Sequence, residues 1–310
     1  MRIINSFEEL LTIKNISCSV ALGTFDGLHL GHLDVIKTAL AAKKKQGLQA
    51  VVFTFSNHPM SSIMPELVPP RIIDNATKEE LLAAMGVDIL INIPFTPKFA
   101  DLSVEEFLGI LKSLGARVAV VGQNYSFGAG GVGNAQTLKE GGASFGLEVI
   151  IRPLLTMRGS VISSTRIRNA IAQGKVDMAE QMLGRPYSFK GKVLHGDARG
   201  RTMGFPTANL EIADSSFALP KSGVYAGSVR HGDKYYMAAV NLGCNPTFGG
   251  SSLRLEAHLL DFTGDLYGQV ILVELHQFIR EEVTFAQRDS LQKQISEDKK
   301  AVEEYFHVVF

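Results

Sequence analysis

The periodicity of the chain changes once, and that change limits the folds open to it. As far as residue 186, short Val- and Ile-rich runs alternate with helix-like stretches. SVAL at 19–22 precedes a helical pattern over 30–45, AVVFTF at 50–55 one over 77–85, and DILINI at 88–93 one over 103–114. RVAVVG (117–122) and EVIIRP (148–153) continue the series, and Ser103 with Glu106 forms a capping-box pattern. Strands alternating with helices predict βαβ units and a parallel sheet covered by helices. Two more helical segments, 165–173 and 176–183, follow before Gly184-Arg185-Pro186 breaks the pattern. Beyond it lie GKVLHG, GVYAGSVR, YYMAAVNL, SLRLEAHLLDF and QVILVEL, short runs punctuated by Gly, Asp and Asn, which predict a small antiparallel barrel or sandwich. A last helix is expected after Thr284 and Gln287, with Leu291, Ile295, Val302 and Tyr305 on its apolar face. The reading is α/β followed by all-β, with domains 1–186 and 187–310.

Two domains suit 310 residues, since one domain usually holds about 100 to 200. Lys plus Arg and Asp plus Glu each total 31, so no net positive charge favours a nucleic acid. No apolar run approaches the roughly 20 residues that cross a bilayer, and the acidic start MRIINSFEELL resembles no targeting signal. A cytoplasmic protein with no membrane or nucleic-acid partner is expected; protein partners are not legible. Cys18 and Cys244, far apart, suggest neither a disulfide framework nor a zinc site.

GTFDGLHLGH (23–32) falls where the first strand of the series should end and its helix begin, a place where open α/β sheets bind ligands. Gly23, Gly27 and Gly31 allow close backbone approach to phosphate, and the N–H groups of a helix N-terminus favour anions. His29 and His32 would share one helical face and could donate to phosphate oxygens. A glycine turn with two surface histidines is the alternative. ISSTRIR (162–168) places hydroxyls before a helix and Arg168 three residues after Thr165, which suits either a phosphate or an ordinary helix cap. The G-x-G-x-x-G of Gly128, Gly130 and Gly133, with Glu148 downstream, has the wrong context for a dinucleotide site: five residues separate it from the preceding strand, and Glu148 should begin the next one.

GTFDGLHLGH, TFSNHP (54–59), PFTPKFADLSVEEF (94–107) and ISSTRIR together resemble the N-terminal half of bacterial FAD synthetases, an FMN adenylyltransferase of the HxGH nucleotidyltransferase superfamily with a Rossmann-like sheet. The resemblance implies that His29 and His32 are catalytic, contacting ATP phosphates and stabilising charge as FMN attacks the α-phosphorus. It implies further that Gly23, Phe25, Gly31, Ser164, Thr165 and Arg168 bind ATP, and that Asn57, His58, Asn124, Tyr125 and Phe127 line the flavin site. In GQNYSFGAGGVG (122–133), Asn124 and Tyr125 replace the family's Asp and Phe, no Lys or Arg follows between Ala129 and Gly133, and Asn57 replaces a common proline. These departures are expected to weaken FMN binding.

The second half opens with GKVLHGDARGRTMGFPTANL (191–210) and has no P-loop, because Gly174-Lys175 and Gly191-Lys192 are each followed by Val. Gly196, Gly200 and Gly204 among Arg199 and Arg201 could wrap phosphates or simply turn a hairpin, and Thr207 and Asn209 offer oxygens to magnesium or a nucleotide. In SLRLEAHLLDF, Leu253, Leu255, Ala257 and Leu259 face one side; Arg254, Glu256 and His258 face the other, where Glu256 could take a proton from an attacking hydroxyl or simply meet solvent. With GVYAG (223–227), AAVNLGCNPTF (238–248), EAHLLDFTGDLYG (256–268) and FIREEVTF (278–285), this half resembles bacterial riboflavin kinase from about 190 to 300. That implies a six-stranded barrel with a C-terminal helix, ATP at Gly196, Gly200, Gly204, Thr207 and Asn209, Mg2+ at Thr207 and Asn209, Glu256 as base for the 5′-hydroxyl of riboflavin, and Arg280 beside the flavin. Riboflavin, FMN and ATP are then the small-molecule partners and FAD the product. Two alternatives remain: a riboflavin kinase whose first half no longer adenylylates, and a flavin- or nucleotide-binding regulator without turnover.

Overall fold

The computed structural model describes residues 1–194, 207–211, 216–232, 234–247, 250–283, 285 and 287–309. They form two compact units, Met1–Ser164 and Thr165–Phe310.

In the first unit, β1 (Arg2–Ile4), α1 (Phe7–Thr12), β2 (Cys18–Leu22), α2 (Leu30–Gln46), β3 (Gln49–Phe55), α3 (Met60–Ile63), α4 (Asn75–Ala84) and β4 (Ile89–Ile93) lead to α5 (Pro97–Ala100) and α6 (Val104–Leu114). β5 (Ala116–Gly122), a ribbon of β6 (Ser126–Phe127) and β7 (Gly133–Asn134), α7 (Ala135–Ala143), β8 (Glu148–Arg152) and the hairpin β9 (Thr156–Met157) and β10 (Ser160–Val161) complete it. The main sheet has the order β1-β4-β3-β2-β5-β8 with every pairing parallel. Alternation along the strands builds two cores. Val20, Leu22, Val51, Phe53, Ile91 and Val121 pack with Leu111 of α6 and Leu138 of α7. Ala21, Val52, Leu90, Val118 and Val120 point the other way, onto Val35, Ile36 and Ala39 of α2 and Leu82 of α4. The strands are therefore covered on both faces, as near-continuous apolar runs require. The expected capping box is present: Ser103 N–H donates to Glu106 Oε2 at 2.8 Å, and Glu106 N–H to Ser103 Oγ at 3.1 Å. Cys18 is a free buried thiol whose pKa burial pushes up to about 12, leaving it inert.

The second unit carries α8 (Ser164–Ala172) beyond its first residue, then α9 (Val176–Leu183), β11 (Tyr187–Leu194), β12 (Ala208–Glu211), β13 (Gly223–His231), β14 (Lys234–Thr247), β15 (Gly250–Leu259), β16 (Val270–Arg280) and α10 (Arg288–Val309). The six strands close into an antiparallel barrel in the order β11-β12-β15-β14-β13-β16. Its interior holds Tyr187, Phe189, Val193, Leu210, Tyr225, Val229, Val240, Leu255, Ala257 and Val273, all buried. α10 covers outward residues Ala226, Met237 and Ala239 with Val302, Tyr305 and Phe306. Its expected cap residue Thr284 lies outside the described residues, while the Gln287 carbonyl accepts the Leu291 N–H at 3.3 Å.

The packing divides after Ser164, whereas the sequence pattern suggests a boundary at Pro186. Gly184, in the left-handed region at φ 75°, ends α9, and only Arg185 and Pro186 separate it from β11. So short a link keeps α9 on the barrel, against β11 and β16, where Glu180 Oε2 stands 3.6 Å from His276 Nδ1. Sequence periodicity, which sees only helix against strand, groups α9 with the helices before it. β1, α1 and α7 are further elements that it does not mark.

Gly227 shows how tightly the barrel closes: a Cβ there would lie 2.6 Å from the Glu274 carbonyl oxygen and 2.6 Å from Val240 Cγ2. Gly227→Ala should destabilise the barrel by about 1–3 kcal/mol, read as a lower melting midpoint in calorimetry.

Candidate functional site

The first site grows out of the turn after β2. β2 lies between β3 and β5, and chain order reverses there, so the carboxyl ends of these strands frame a topological switch point. From Gly23 the backbone enters the left-handed region at Phe25 (φ 48°), Gly27 (φ 82°) and Leu28 (φ 44°). Two non-glycine residues in that region cost about 1–3 kcal/mol each, and the fold holds them by burying both side chains completely. The turn is strapped from outside: Thr54 Oγ1 donates to the Thr24 carbonyl at 2.7 Å, Ser164 Oγ to the Asp26 carbonyl at 2.9 Å, and Ile72 N–H to Asp26 Oδ1 at 3.2 Å.

This turn delivers His29 as the N-cap of α2, its Nδ1 accepting the His32 N–H at 3.3 Å. The two imidazoles stack with centroids 3.6 Å apart, and Phe25 meets His32 edge-on at 5.4 Å. Gly31 makes room for the pair, since a Cβ there would stand 3.1 Å from His29 Cε1. Burial holds the His32 pKa well below its usual range, with the charges of His29 and Lys78 acting in the same direction, so His32 is neutral at physiological pH. Its Nδ1 is buried without a hydrogen-bond partner among the described residues. A neutral imidazole with an unsatisfied nitrogen, at the N-terminus of a 17-residue helix, is equipped to meet a polar anionic group.

Lys78 was not singled out by sequence, although it precedes Leu82 by four residues and so lies on the buried face of α4. Its Nζ donates to the Phe55 carbonyl at 2.9 Å. Burial lowers its pKa to about 8, against the attraction of Asp26. It ties the end of β3 to α4, and its charge favours the neutral form of His32.

The other expected residues lie at the same carboxyl edge. Asn57 is occupied internally: its Oδ1 accepts the Phe95 N–H at 2.6 Å, and its Nδ2 donates to the Phe95 carbonyl at 3.1 Å and to Ser61 Oγ at 2.6 Å. It therefore joins the loops after β3 and β4. His58 Nδ1 accepts the Met60 N–H at 3.2 Å. After β5, Asn124 is exposed and Tyr125 stacks on buried Phe127 at 5.8 Å. The glycines that mimic a dinucleotide fingerprint form the β6–β7 ribbon instead of a direct strand-to-helix turn, and Glu148 starts β8. Ser164 belongs with the His29 turn through Asp26; Thr165 and Arg168 continue α8 in the second unit.

In the barrel, register sets the second site. Asn209 on β12 pairs with Glu256 on β15, and Glu256 pairs with Asn241 on β14. Because Ala208, Leu210, Val240, Leu242, Leu255 and Ala257 are buried inside, these three polar residues form one row on the outer face, roughly 5 Å apart from strand to strand. All three are half-buried, as is Thr207 just before β12. The row continues through Val224 to Arg280. Arg280 is fully engaged, its Nε and Nη2 donating to the two carboxylate oxygens of Asp298 on α10 at 2.7 and 2.6 Å, which makes it an anchor for that helix. Gly196, Gly200 and Gly204 lie outside the described residues. Among the described residues no cluster of three His, Cys, Asp or Glu could hold a metal, so a cation here would rest on hydroxyl and carboxamide oxygens together with phosphate.

Comparison with known proteins finds a match for each half of the chain. Family models for FAD synthetase and riboflavin kinase match residues 12–166 and 183–306. Bifunctional riboflavin kinase/FMN adenylyltransferase of Escherichia coli K12 is 34% identical over 99% of this chain and 98% of its own. The proteins of that name from Listeria monocytogenes and Bacillus subtilis are 38% and 35% identical, each over 93% of this chain and 92% of its own. A solved structure from Streptococcus pneumoniae, described as a macrolide-efflux protein, superposes with a TM-score of 0.88 at 36% identity, over 97% of this chain and 98% of that one. No helix among the described residues is long and apolar enough to cross a membrane.

The sign of the Lys78 effect is testable. With its folded pKa near 8 and an unfolded value near 10.5, the unfolded chain binds more protons between those values, so the cost of burying this charge is full below pH 8 and fades as pH rises towards 10.5. Melting midpoints of wild type and Lys78→Met, compared across that window, should shift in favour of wild type at the alkaline end.

Proposed function

Because the chain belongs to the bifunctional riboflavin kinase/FMN adenylyltransferase family over its whole length, we propose that its barrel converts riboflavin and ATP to FMN and ADP, and that its α/β unit converts FMN and ATP to FAD and pyrophosphate. The observation that carries this reading is the presence in one chain of both constellations, the stacked His29–His32 pair at a helix N-terminus and the Asn209–Glu256 cross-strand pair.

In the kinase step, the Glu256 carboxylate accepts the proton of the 5′-hydroxyl as its oxygen attacks the γ-phosphorus of ATP and ADP leaves. A base on a strand paired from both sides is held in place before the substrate arrives. Thr207 and Asn209 supply neutral oxygens, a hard donor set that suits magnesium retaining water and phosphate in its shell. Bound there, magnesium would neutralise charge developing on the transferred phosphoryl group.

In the adenylyl step, a phosphate oxygen of FMN attacks the α-phosphorus and pyrophosphate departs. No protein nucleophile is needed, because positioning and charge stabilisation carry such transfers. His32, neutral and buried, donates or accepts at a fixed nitrogen, and His29 and the α2 N-terminus favour negative charge at the phosphates. Asn57 shapes the flavin side by holding two loops together, and half-buried Tyr125, backed by the buried ring of Phe127, offers an aromatic surface.

The test is a chromatographic time course of riboflavin with excess ATP and magnesium. FMN should rise first and FAD follow; accumulation that stops at FMN would favour a kinase whose first half no longer adenylylates, the reading that Asn124 and the missing basic residues raise. Glu256→Gln should slow FMN formation by about 10²–10⁴-fold while FAD formation from supplied FMN stays at the wild-type rate. His29→Ala should do the reverse, slowing FAD formation from FMN by about 10²–10³-fold with FMN formation intact.

A further inference from the structure

Asn241 takes no part in the mechanism above, yet it stands directly beside the residue assigned as base. It is the cross-strand partner of Glu256 on the side away from Asn209. Its Oδ1 is buried and has no hydrogen-bond partner among the described residues. Folding removes that oxygen from water and, among the described residues, returns nothing for it, an arrangement that selection for stability alone would not keep. Its neighbours along the strand explain how it is enclosed. Two residues before it on the same face, Ala239 lies under α10. Two residues after it, Gly243 presents no side chain of its own and Glu282 fills the space, since a Cβ there would come within 2.8 Å of Glu282 Oε1.

The order of the row says what the oxygen would meet. Asn209 and Thr207 stand on the nucleotide side of Glu256, and in an in-line transfer the attacking hydroxyl lies between the phosphoryl group and the rest of the acceptor molecule. The side of Glu256 opposite Asn209 therefore faces the body of the acceptor. We propose that Asn241 is a substrate-binding residue whose Oδ1 accepts a hydrogen bond from an inner hydroxyl of the flavin's polyol side chain, next to the terminal hydroxyl that Glu256 deprotonates. Strand spacing of roughly 5 Å puts Asn241 within reach of the second or third hydroxyl from the end. The contact makes the site selective for a polyhydroxylated chain over a plain alkanol of the same length, because only the former satisfies the buried oxygen. This inference rests on the kinase reading of the barrel.

The experiment compares wild type with Asn241→Leu, close in volume and without the oxygen, and with Asn241→Ala. Each is tested with riboflavin and with a flavin bearing a 5-hydroxypentyl chain, which keeps only the terminal hydroxyl. Wild type should phosphorylate riboflavin with a kcat/KM at least about tenfold above that for the hydroxypentyl flavin, and in both variants this preference should collapse towards unity through loss on riboflavin alone. Affinity for magnesium–ADP should be unchanged, and the melting midpoint of the ligand-free variants should be equal to or above wild type, since the lost oxygen had no partner. Retained preference for riboflavin in the variants overturns the proposal. So does a lowered midpoint or failure to fold in both variants, which would make Asn241 structural. Failure of wild type to phosphorylate riboflavin at all overturns the kinase reading, and this inference with it.

Discussion

A strand hydrogen-bonded along both edges has only its ends and its faces left for chemistry, and this constraint decides where each unit can gather polar groups. In the α/β unit both faces of the sheet are covered by helices and filled with Val, Ile, Leu and Phe. Polar groups therefore collect at the carboxyl ends, where β2 meets α2. In the closed barrel each strand is paired on both sides, and the interior is apolar. The outward face is what remains: part of it is taken by α10, and another part bears the half-buried row of Asn209, Glu256 and Asn241.

Within the α/β unit the site is held under strain and at reduced dielectric. Phe25 and Leu28 keep left-handed backbones because their side chains fill the core, which fixes the direction in which His29 and His32 leave the sheet. The same burial keeps His32 neutral and draws the pKa of Lys78 down to about 8. Such perturbed groups gather where a fold has been arranged for a ligand rather than for stability alone. The buried oxygen of Asn241 is the counterpart in the barrel, a polar atom without a partner among the described residues, beside a carboxylate on a strand paired along both edges.

The motif residues were legible because each depends on local geometry. The Gly–His spacing of 23–32 puts both histidines at one helix start whatever surrounds them, and alternation in SLRLEAHLLDF puts Glu256 opposite the leucines. Residues whose importance comes from a partner distant in sequence were less legible. Lys78 resembles any helical lysine until Phe55 and Asp26 are placed beside it. Arg280, read beside the flavin from its motif, is engaged by Asp298, 18 residues further along.

The sequence by itself determined the two fold classes, the order of the units, the glycine-rich turn after the first motif strand and the facing of Leu255, Glu256 and Ala257, because these follow from periodicities of 3.6 and 2 and from glycine placement. Only the tertiary structure decided that α9 stays with the barrel, that Asn57 and Arg280 are engaged by protein groups, and that Asn209, Glu256 and Asn241 stand in one row. Those outcomes depend on strand register and on the lengths of the connections, which bring together residues separated by up to 47 positions. No local pattern encodes such a separation, because the energy that fixes it comes from burying many side chains at once.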